Sequence, residues 1–144
     1  MGRALRLGRW ADIDVFMHVT FPLILVWFGF TTWLQTREVS AALGSIAFIA
    51  ALFVCVVLHE YGHALMARRF GIGTRDITLL PIGGVARLER MPEKPSQELQ
   101  VALAGPAVNL VLAAGLIAAW AIAQPISGLL APVGDVIGFV QRLA

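Results

Sequence analysis

Cysteine and charge are both scarce in this chain of 144 residues. Cys55 is the only cysteine, so the chain can form no internal disulfide bond and cannot build a cysteine-based metal site. Only 14% of the residues are charged, whereas soluble globular domains average about 25%. The formal net charge of +2 is too small to indicate nucleic acid binding. The low charge, with 58% hydrophobic residues, indicates that lipid surrounds much of the chain.

Several familiar catalytic and binding motifs are also missing from the sequence. It has no Walker-type glycine loop, no G-x-S-x-G nucleophile motif and no dinucleotide-binding fingerprint. We therefore expect no nucleotide site within this chain, and we set aside the serine hydrolases and the dinucleotide-dependent enzymes.

Three apolar runs are close to the roughly 20 residues that a helix needs to cross the hydrocarbon core. They predict membrane helices over residues 15–34, 41–63 and 99–123. The second helical pattern continues to Phe70, where Gly71 and Gly73 are typical of a helix end. We expect the first run to be retained as a span, because no small-residue cleavage site of a signal peptide follows it.

The distribution of basic residues predicts how these helices are oriented, because short cytoplasmic loops are enriched in Lys and Arg. The segment between the first two runs, about Gln35 to Ser40, carries only Arg37. Of the other ten basic residues, only Arg142 follows the third run, and nine fall before the first run or between the second and third: Arg3, Arg6, Arg9, Arg68, Arg69, Arg75, Arg87, Arg90 and Lys94. The N-terminus and the loop over residues 71–98 are therefore expected on the cytoplasmic side of a multi-pass protein.

The cytoplasmic loop has a β-type pattern of its own. Asp76–Pro81 and Val85–Leu88 flank a glycine turn at Ile82–Gly84, which predicts a short β-hairpin. The expected fold is thus an α-helical polytopic membrane protein, with three transmembrane helices and this hairpin-like loop. We expect residues 1–144 to form a single membrane-embedded domain.

The sequence His59-Glu60-Tyr61-Gly62-His63 is an H-E-x-x-H motif near the end of the second predicted helix. On a helix, the i, i+4 spacing places both imidazoles on one face, as two ligands of one metal ion require. Glu60 then lies beside the metal, where its carboxylate can take a proton from water. The motif predicts a zinc site with His59 and His63 as ligands and Glu60 as general base for peptide-bond cleavage.

A simpler interpretation is that these are interfacial polar residues at a helix end, paired with Arg68 or with lipid headgroups. Ionisable groups at membrane depth are costly, which favours a functional role instead. Zinc itself is an inference from the motif, because two imidazoles also suit copper, nickel or cobalt.

Three segments together resemble the site-2 protease family of intramembrane zinc metalloproteases, the peptidase M50 type. They are HEYGH at 59–63, LLPIGGVARLERMPEKP at 79–95 and ALAGPAVNLVLA at 102–113. The resemblance implies cleavage of transmembrane protein substrates within the lipid bilayer, in regulated intramembrane proteolysis. It also implies a zinc ion held by two histidines and an aspartate, and a substrate-binding role for the glycine-rich segment and for Asn109.

The third zinc ligand of that family comes from a later helix with an Asp-Gly motif, and no such motif precedes Ala144. We therefore expect a truncated protease core that lacks the C-terminal catalytic span. Asp135 is the only carboxylate followed by suitable apolar sequence, and the predicted topology places it on the opposite side of the membrane. The alternative is a catalytically inactive membrane protein with a regulatory or binding role. Metal transport is a weaker alternative, because one two-histidine site provides no relay of ligands.

Four further residues have a structural and a functional interpretation. His18, expected at the start of the first helix, is either an accessory metal ligand or a hydrogen-bonding group between helices. Asn109 either contacts substrate backbone or bonds to a neighbouring helix. Gly83 and Gly84 either form a turn or adjoin an open strand edge on which an unwound substrate adds as a strand.

Overall fold

The computed structural model describes residues 4–81 and 83–124. In chain order the elements are β1 (Ala4–Trp10), β2 (Ile13–His18), α1 (Phe21–Thr36), α2 (Val39–Arg69), β3 (Thr74–Leu80), β4 (Gly83–Leu88) and α3 (Pro95–Ala123). Residues up to Asn109 form one compact unit, and a second unit begins at Leu110. In the second unit, the described part of α3 exposes its large apolar side chains: Leu110, Val111, Leu116, Ile117, Trp120 and Ile122.

Two of the described helices, α2 with 31 residues and α3 with 29, are long and apolar enough to cross a membrane. The most apolar stretch of α2 has no buried residue, which distinguishes it from the core helix of a soluble protein. The helix α1 has 16 residues and is therefore about 24 Å long, against a hydrocarbon core of about 30 Å. The prediction of three transmembrane helices is not confirmed.

The helices α1 and α2 form a hairpin, as expected for the segment around residues 35–40. Arg37 ends α1 in a left-handed conformation (φ 58°), and its N–H donates to the Trp33 carbonyl at 2.8 Å. Further along, Gly29 of α1 lies so close to Ile46 that an added Cβ would come within 2.6 Å of that side chain. Close packing at a small residue is typical of helix pairs in membranes.

The four strands form one sheet in the order β1-β2-β3-β4, with β2 and β3 parallel and the other pairs antiparallel. The predicted hairpin of the loop is present as β3 and β4. The strands β1 and β2 were not predicted, and the helix expected to start at residue 15 is wrong there, because residues 13–18 are β2. Its alternation places Ile13 and Val15 in the core and Asp14 between them on the other face.

The turn between β1 and β2 is held by the C-terminal end of α2. Ala11 and Asp12 both have positive φ, 49° and 65°, as a two-residue type I′ hairpin requires. The Arg68 side chain donates to the Ala11 carbonyl at 3.2 Å, and the Tyr61 hydroxyl donates to the Trp10 carbonyl at 2.9 Å. These long-range bonds support a turn that lacks the usual Asn-Gly or Asp-Gly sequence.

One face of the sheet packs against the C-terminal end of α2. The buried residues there are Ile13, Val15, Ala64, Ile77 and Leu79. The helix end itself follows from local chemistry: Arg68 and Arg69 occupy the last turn, and Gly71, predicted to mark the helix end, takes a left-handed conformation (φ 71°).

The other face of the sheet carries a buried carboxylate with a matched arginine. Asp76 on β3 is 8% exposed, and Arg87 on β4 binds it through two hydrogen bonds of 2.8 and 2.6 Å. The hydrogen bond to Asp76 raises the pKa of Arg87 further above its usual value, so the arginine stays charged at any pH used in an assay. This pair joins β3 to β4 and fixes their register.

Candidate metal centre

The two motif histidines face each other on α2, one turn apart. Their Nε2 atoms are 3.1 Å apart, and the rings meet edge to face. Two nitrogens that each lie 2.0–2.1 Å from one tetrahedral zinc ion are about 3.3 Å apart. The predicted ligands His59 and His63 therefore have the spacing of a shared metal.

The ring of His63 is oriented by a backbone carbonyl from α3. Its Nδ1 lies 2.7 Å from the Val101 oxygen. A carbonyl only accepts, so Nδ1 carries the proton of the neutral ring and Nε2 keeps its lone pair. This is the usual arrangement for a metal-ligating histidine, whose second nitrogen donates to an oxygen. The Nδ1 of His59 is buried, and no described residue hydrogen-bonds to it.

Gly105 on α3 lies directly against both imidazoles. A Cβ on this residue would overlap His63 Nε2 and would lie 2.7 Å from His59 Nε2. Only glycine therefore leaves room for the two rings at their observed positions. The sequence alone indicated no role for Gly105, although it follows Ala104, and small residues are typical of close helix contacts in membranes.

Glu60 points from α2 to the strand β4. Its Oε2 accepts a hydrogen bond from the Ala86 N–H at 3.1 Å. Gly84 makes room for the same side chain, because an added Cβ would lie 2.5 Å from Glu60 Cγ. The carboxylate is thus held by a strand residue while its own backbone belongs to the metal-binding helix.

A cavity of about 280 Å³ brings most of the predicted site residues together. Its lining residues are Val56, His59, Glu60, Gly83, Gly84 and Asn109. Residues from α2, β4 and α3 therefore surround one space beside the two histidines. The substrate-binding roles of Asn109, Gly83 and Gly84 stay predictions.

His18 was expected at the start of the first helix. It lies instead at the end of β2. Its Nδ1 lies 2.7 Å from the Thr20 hydroxyl. It lines a groove on the outer face of the sheet, with Phe16 and Arg87, and not the cavity beside Glu60. The expectation that His18 begins α1 is wrong, because the chain is still a strand at that point. The accessory role of His18 at the metal stays a prediction.

The donor set fits zinc as far as the described residues provide it. Two imidazole Nε2 atoms converge, and one ring is already oriented for metal binding. Among residues 4–81 and 83–124, no group of three His, Cys, Asp or Glu side chains converges on one point. Asp135, weighed above as a substitute ligand, lies outside the described residues.

The family model of peptidase family M50 matches residues 47–141, about two thirds of the chain. The chain belongs to peptidase family M50. Within this family it is 37% identical over 112 residues to a zinc metalloprotease of Methanocaldococcus jannaschii, an alignment that covers 78% of this chain and 31% of that protein. It is 29% identical over 120 residues to stage IV sporulation protein FB of Bacillus subtilis, covering 82% of this chain and 37% of that protein.

A solved structure supports the same M50 assignment. The site-2 protease from Methanocaldococcus jannaschii matches with a TM-score of 0.57 and 33% identity, over 74% of this chain and 46% of that one. The chain spans about a third of the length of the two curated relatives. The matched relatives from Methanocaldococcus jannaschii are named as a zinc metalloprotease and a site-2 protease. The family and the two apolar helices indicate a membrane protein.

Proposed function

We propose that this chain forms the metal-binding core of an intramembrane zinc endopeptidase, which cleaves transmembrane protein substrates near the cytoplasmic face. The observation that carries the proposal is that His59 and Glu60 line one cavity between a membrane-length helix and a strand edge, with His63 Nε2 3.1 Å from His59 Nε2. Regulated intramembrane proteolysis is the process in which we place it.

His59 and His63 are the residues that would hold the zinc ion, through their Nε2 atoms. When bound, zinc would supply a Lewis acid that polarises the scissile carbonyl and makes water more acidic. The Val101 carbonyl supports this role by keeping the His63 ring in one tautomer. Gly105 supports it by leaving the space that both rings occupy.

Glu60 is the proposed general base. It takes a proton from the attacking water and returns it to the leaving amine, so that its carboxylate ends the cycle unchanged. Its position next to His59 in the helix keeps it off the metal face but beside it. The cavity wall formed by Val56 and the glycines of β4 is mostly apolar, which strengthens the interaction of this carboxylate with a developing charge.

The edge of β4 is the proposed substrate site. Within the described residues β4 pairs with β3 on one side only, so its second edge can accept an extended peptide as a further strand. Gly83 and Gly84 leave the backbone uncovered there, and Asn109 lies across the cavity with an amide that can bond to peptide groups. A transmembrane substrate must unwind locally to bind in this way.

The proposed topology places the N-terminus and the site on the cytoplasmic side. The helices α1 and α2 form a hairpin, and β2 pairs directly with β3, so the segments before α1 and after α2 lie on one side of any membrane that the hairpin enters. Both segments carry the basic residues expected of a cytoplasmic side. The inactive alternative is not favoured, because the relatives are named as proteases.

The test is a Glu60→Ala substitution in the complete reading frame that encodes this chain, assayed in cells against a membrane-tethered reporter. Loss of a positioned general base costs roughly 10²–10⁴-fold in rate, so cleavage should fall below detection. Zinc content of the purified variant should match that of the wild type, because His59 and His63 are intact.

Glu93→Ala is the matched control, because it also removes a carboxylate but from an exposed ion pair with Arg90. It should cleave the reporter at the wild-type rate. Continued cleavage by the Glu60→Ala variant would rule out the proposed base.

A further inference from the structure

The Ala86 N–H points away from the sheet, towards the open edge of β4. Glu89 donates its N–H to Gly73, on the β3 side, and N–H directions alternate along an antiparallel strand. Arg87 and Val85 therefore also point their N–H groups to β3, whereas Leu88, Ala86 and Gly84 point theirs outward. The bond from Ala86 N–H to Glu60 agrees with this alternation.

The same outward groups are the ones that an added substrate strand must use. A strand that pairs with the open edge of β4 bonds to the N–H and C=O groups of Gly84 and Ala86. In the free protein, the Glu60 carboxylate already takes the Ala86 N–H. One N–H cannot make a full hydrogen bond to both acceptors, so the carboxylate and the substrate compete.

We infer that the Ala86 amide is a positioning group that holds Glu60 on the strand edge until a substrate carbonyl replaces it. The inference rests on the proposed function and deepens it, since it names how substrate binding and base release are coupled at this site. Substrate addition frees the Oε2 atom of Glu60 just when a peptide bond lies beside the histidines. Without substrate, the carboxylate stays bound to the strand.

Geometry explains why this exchange needs little movement. Gly84 and Ala86 are the two small residues on the face of β4 towards α2, and Glu60 passes directly beneath the first to reach the N–H of the second. A side-chain rotation is enough to release the carboxylate into the adjoining cavity of about 280 Å³.

The first test measures peptide affinity. The probe is an uncharged, proline-free peptide of about ten residues, a full strand length, whose central peptide bond is replaced by a hydrolysis-resistant isostere. It is titrated into the zinc-loaded protein made from the complete reading frame. Removal of the competing carboxylate in Glu60→Ala should lower Kd about fivefold, the usual net effect of one hydrogen bond. The Kd of Glu60→Gln should lie between those of the wild type and Glu60→Ala, because the glutamine amide oxygen still accepts a weaker hydrogen bond from the Ala86 N–H.

The order of the Kd values of the wild type, Glu60→Gln and Glu60→Ala distinguishes competition for the Ala86 N–H from a general effect of the negative charge. Both substitutions remove the negative charge, so a purely electrostatic effect would make the Gln and Ala variants equal. Glu93→Ala controls for loss of a distant carboxylate and should leave Kd unchanged. Equal Kd values for the wild type and both Glu60 variants would overturn the inference.

The second test observes the Ala86 amide itself by NMR in detergent micelles. Carbonyl-labelled valine with ¹⁵N-labelled alanine selects Val-Ala pairs, which occur in this chain at 85–86 and 101–102; Ala102→Ser removes the second signal. In free protein, Glu60→Ala should speed solvent exchange of the Ala86 amide about tenfold, and the peptide should restore its protection. Unchanged exchange in Glu60→Ala would contradict the inference.

The two levels of proposal fail in different ways. If the peptide protects the amides of β4 and the wild type cleaves its reporter while the Kd order is absent, the inference is wrong and the proposed function stands. If the peptide leaves the amides of β4 unprotected and no reporter is cleaved, the proposed function is wrong, and the inference with it.

Discussion

The two ends of α2 differ in what surrounds them, although they belong to one continuous helix. The N-terminal part exposes large apolar side chains, such as Leu43 and Phe48, and a Cβ added at Gly44 would meet none of the described residues within 4 Å. The C-terminal part is packed: Ala64 and Ala67 are fully buried, and a Cβ at Gly62 would lie 2.7 Å from the Ala104 carbonyl oxygen.

This difference shows that the missing side chain of glycine is needed for packing at one end of α2 and not at the other. At the apolar end glycine leaves space that nothing in the described structure fills, and alanine would favour the helix by up to about 1 kcal/mol. At the metal-binding end, the absence of a side chain lets α3 approach the histidines. The chemistry therefore depends on close backbone contacts that hydrophobicity alone does not specify.

The largest expected effect comes from Gly105→Ala, which tests whether the packed end holds the ligands in place. The new Cβ would overlap the Nε2 atom of His63 and displace the ring from its partner. We expect zinc affinity to fall by about 10–100-fold, as it does when the groups that orient metal ligands are lost. The measurement is competition for zinc with a chromogenic chelator.

Gly115→Ala is the control on the same helix, since among residues 4–81 and 83–124 a Cβ there would meet nothing within 4 Å. Its zinc affinity should equal that of the wild type. Equal affinities for the Gly105→Ala and wild-type proteins would mean that the imidazoles do not need the observed positions to bind metal.

A second and smaller effect compares Gly62→Ala with Gly44→Ala, both within α2. At Gly62, the added methyl would press on Ala104 and on Val108 Cγ2, 2.9 Å away, and overpacking of this kind costs about 1–3 kcal/mol. At Gly44 we expect no loss, or a gain of up to about 1 kcal/mol. Unfolding of both variants in mild detergent, followed by circular dichroism, measures whether each substitution lowers or raises the free energy of unfolding.

Destabilisation of equal size at both positions would show that the two ends of α2 are packed alike. The comparison would then fail, because it requires the added methyl to be costly only where α3 approaches.

Elements with local signals were predicted well from the sequence. The helices α2 and α3 follow from long apolar runs, and the end of α2 follows from the basic residues before Gly71. The hairpin of β3 and β4 follows from β-branched residues around a glycine turn. His59 and His63 lie one turn apart on one helix, so their spacing alone predicts that their imidazoles meet.

Elements that depend on long-range contacts were missed. The sequence of β2, with His18 and the apolar run after it, also fits a membrane helix, and its preceding turn is Ala11-Asp12 rather than a recognisable hairpin sequence. That turn is held by Arg68, 57 positions away. Likewise the roles of Gly105 and of the Ala86 N–H arise only when α3 and β4 pack on α2, which no local pattern encodes.

The smallest expected effect is that of His18→Ala. It tests the candidate ligand that lies on β2 and not at the start of α1. His18 ends β2, bonds to Thr20 and lines the outer groove of the sheet. Removing its imidazole therefore leaves the packed end of α2 intact, and zinc affinity should stay within about twofold of wild type, far from the 10–100-fold expected of Gly105→Ala. A larger loss in the chelator assay would place His18 near the metal after all. Such a loss would mean that the outer groove of the sheet and the metal cavity influence each other, so that the packed contacts at the C-terminal end of α2 are not confined to one face of the sheet.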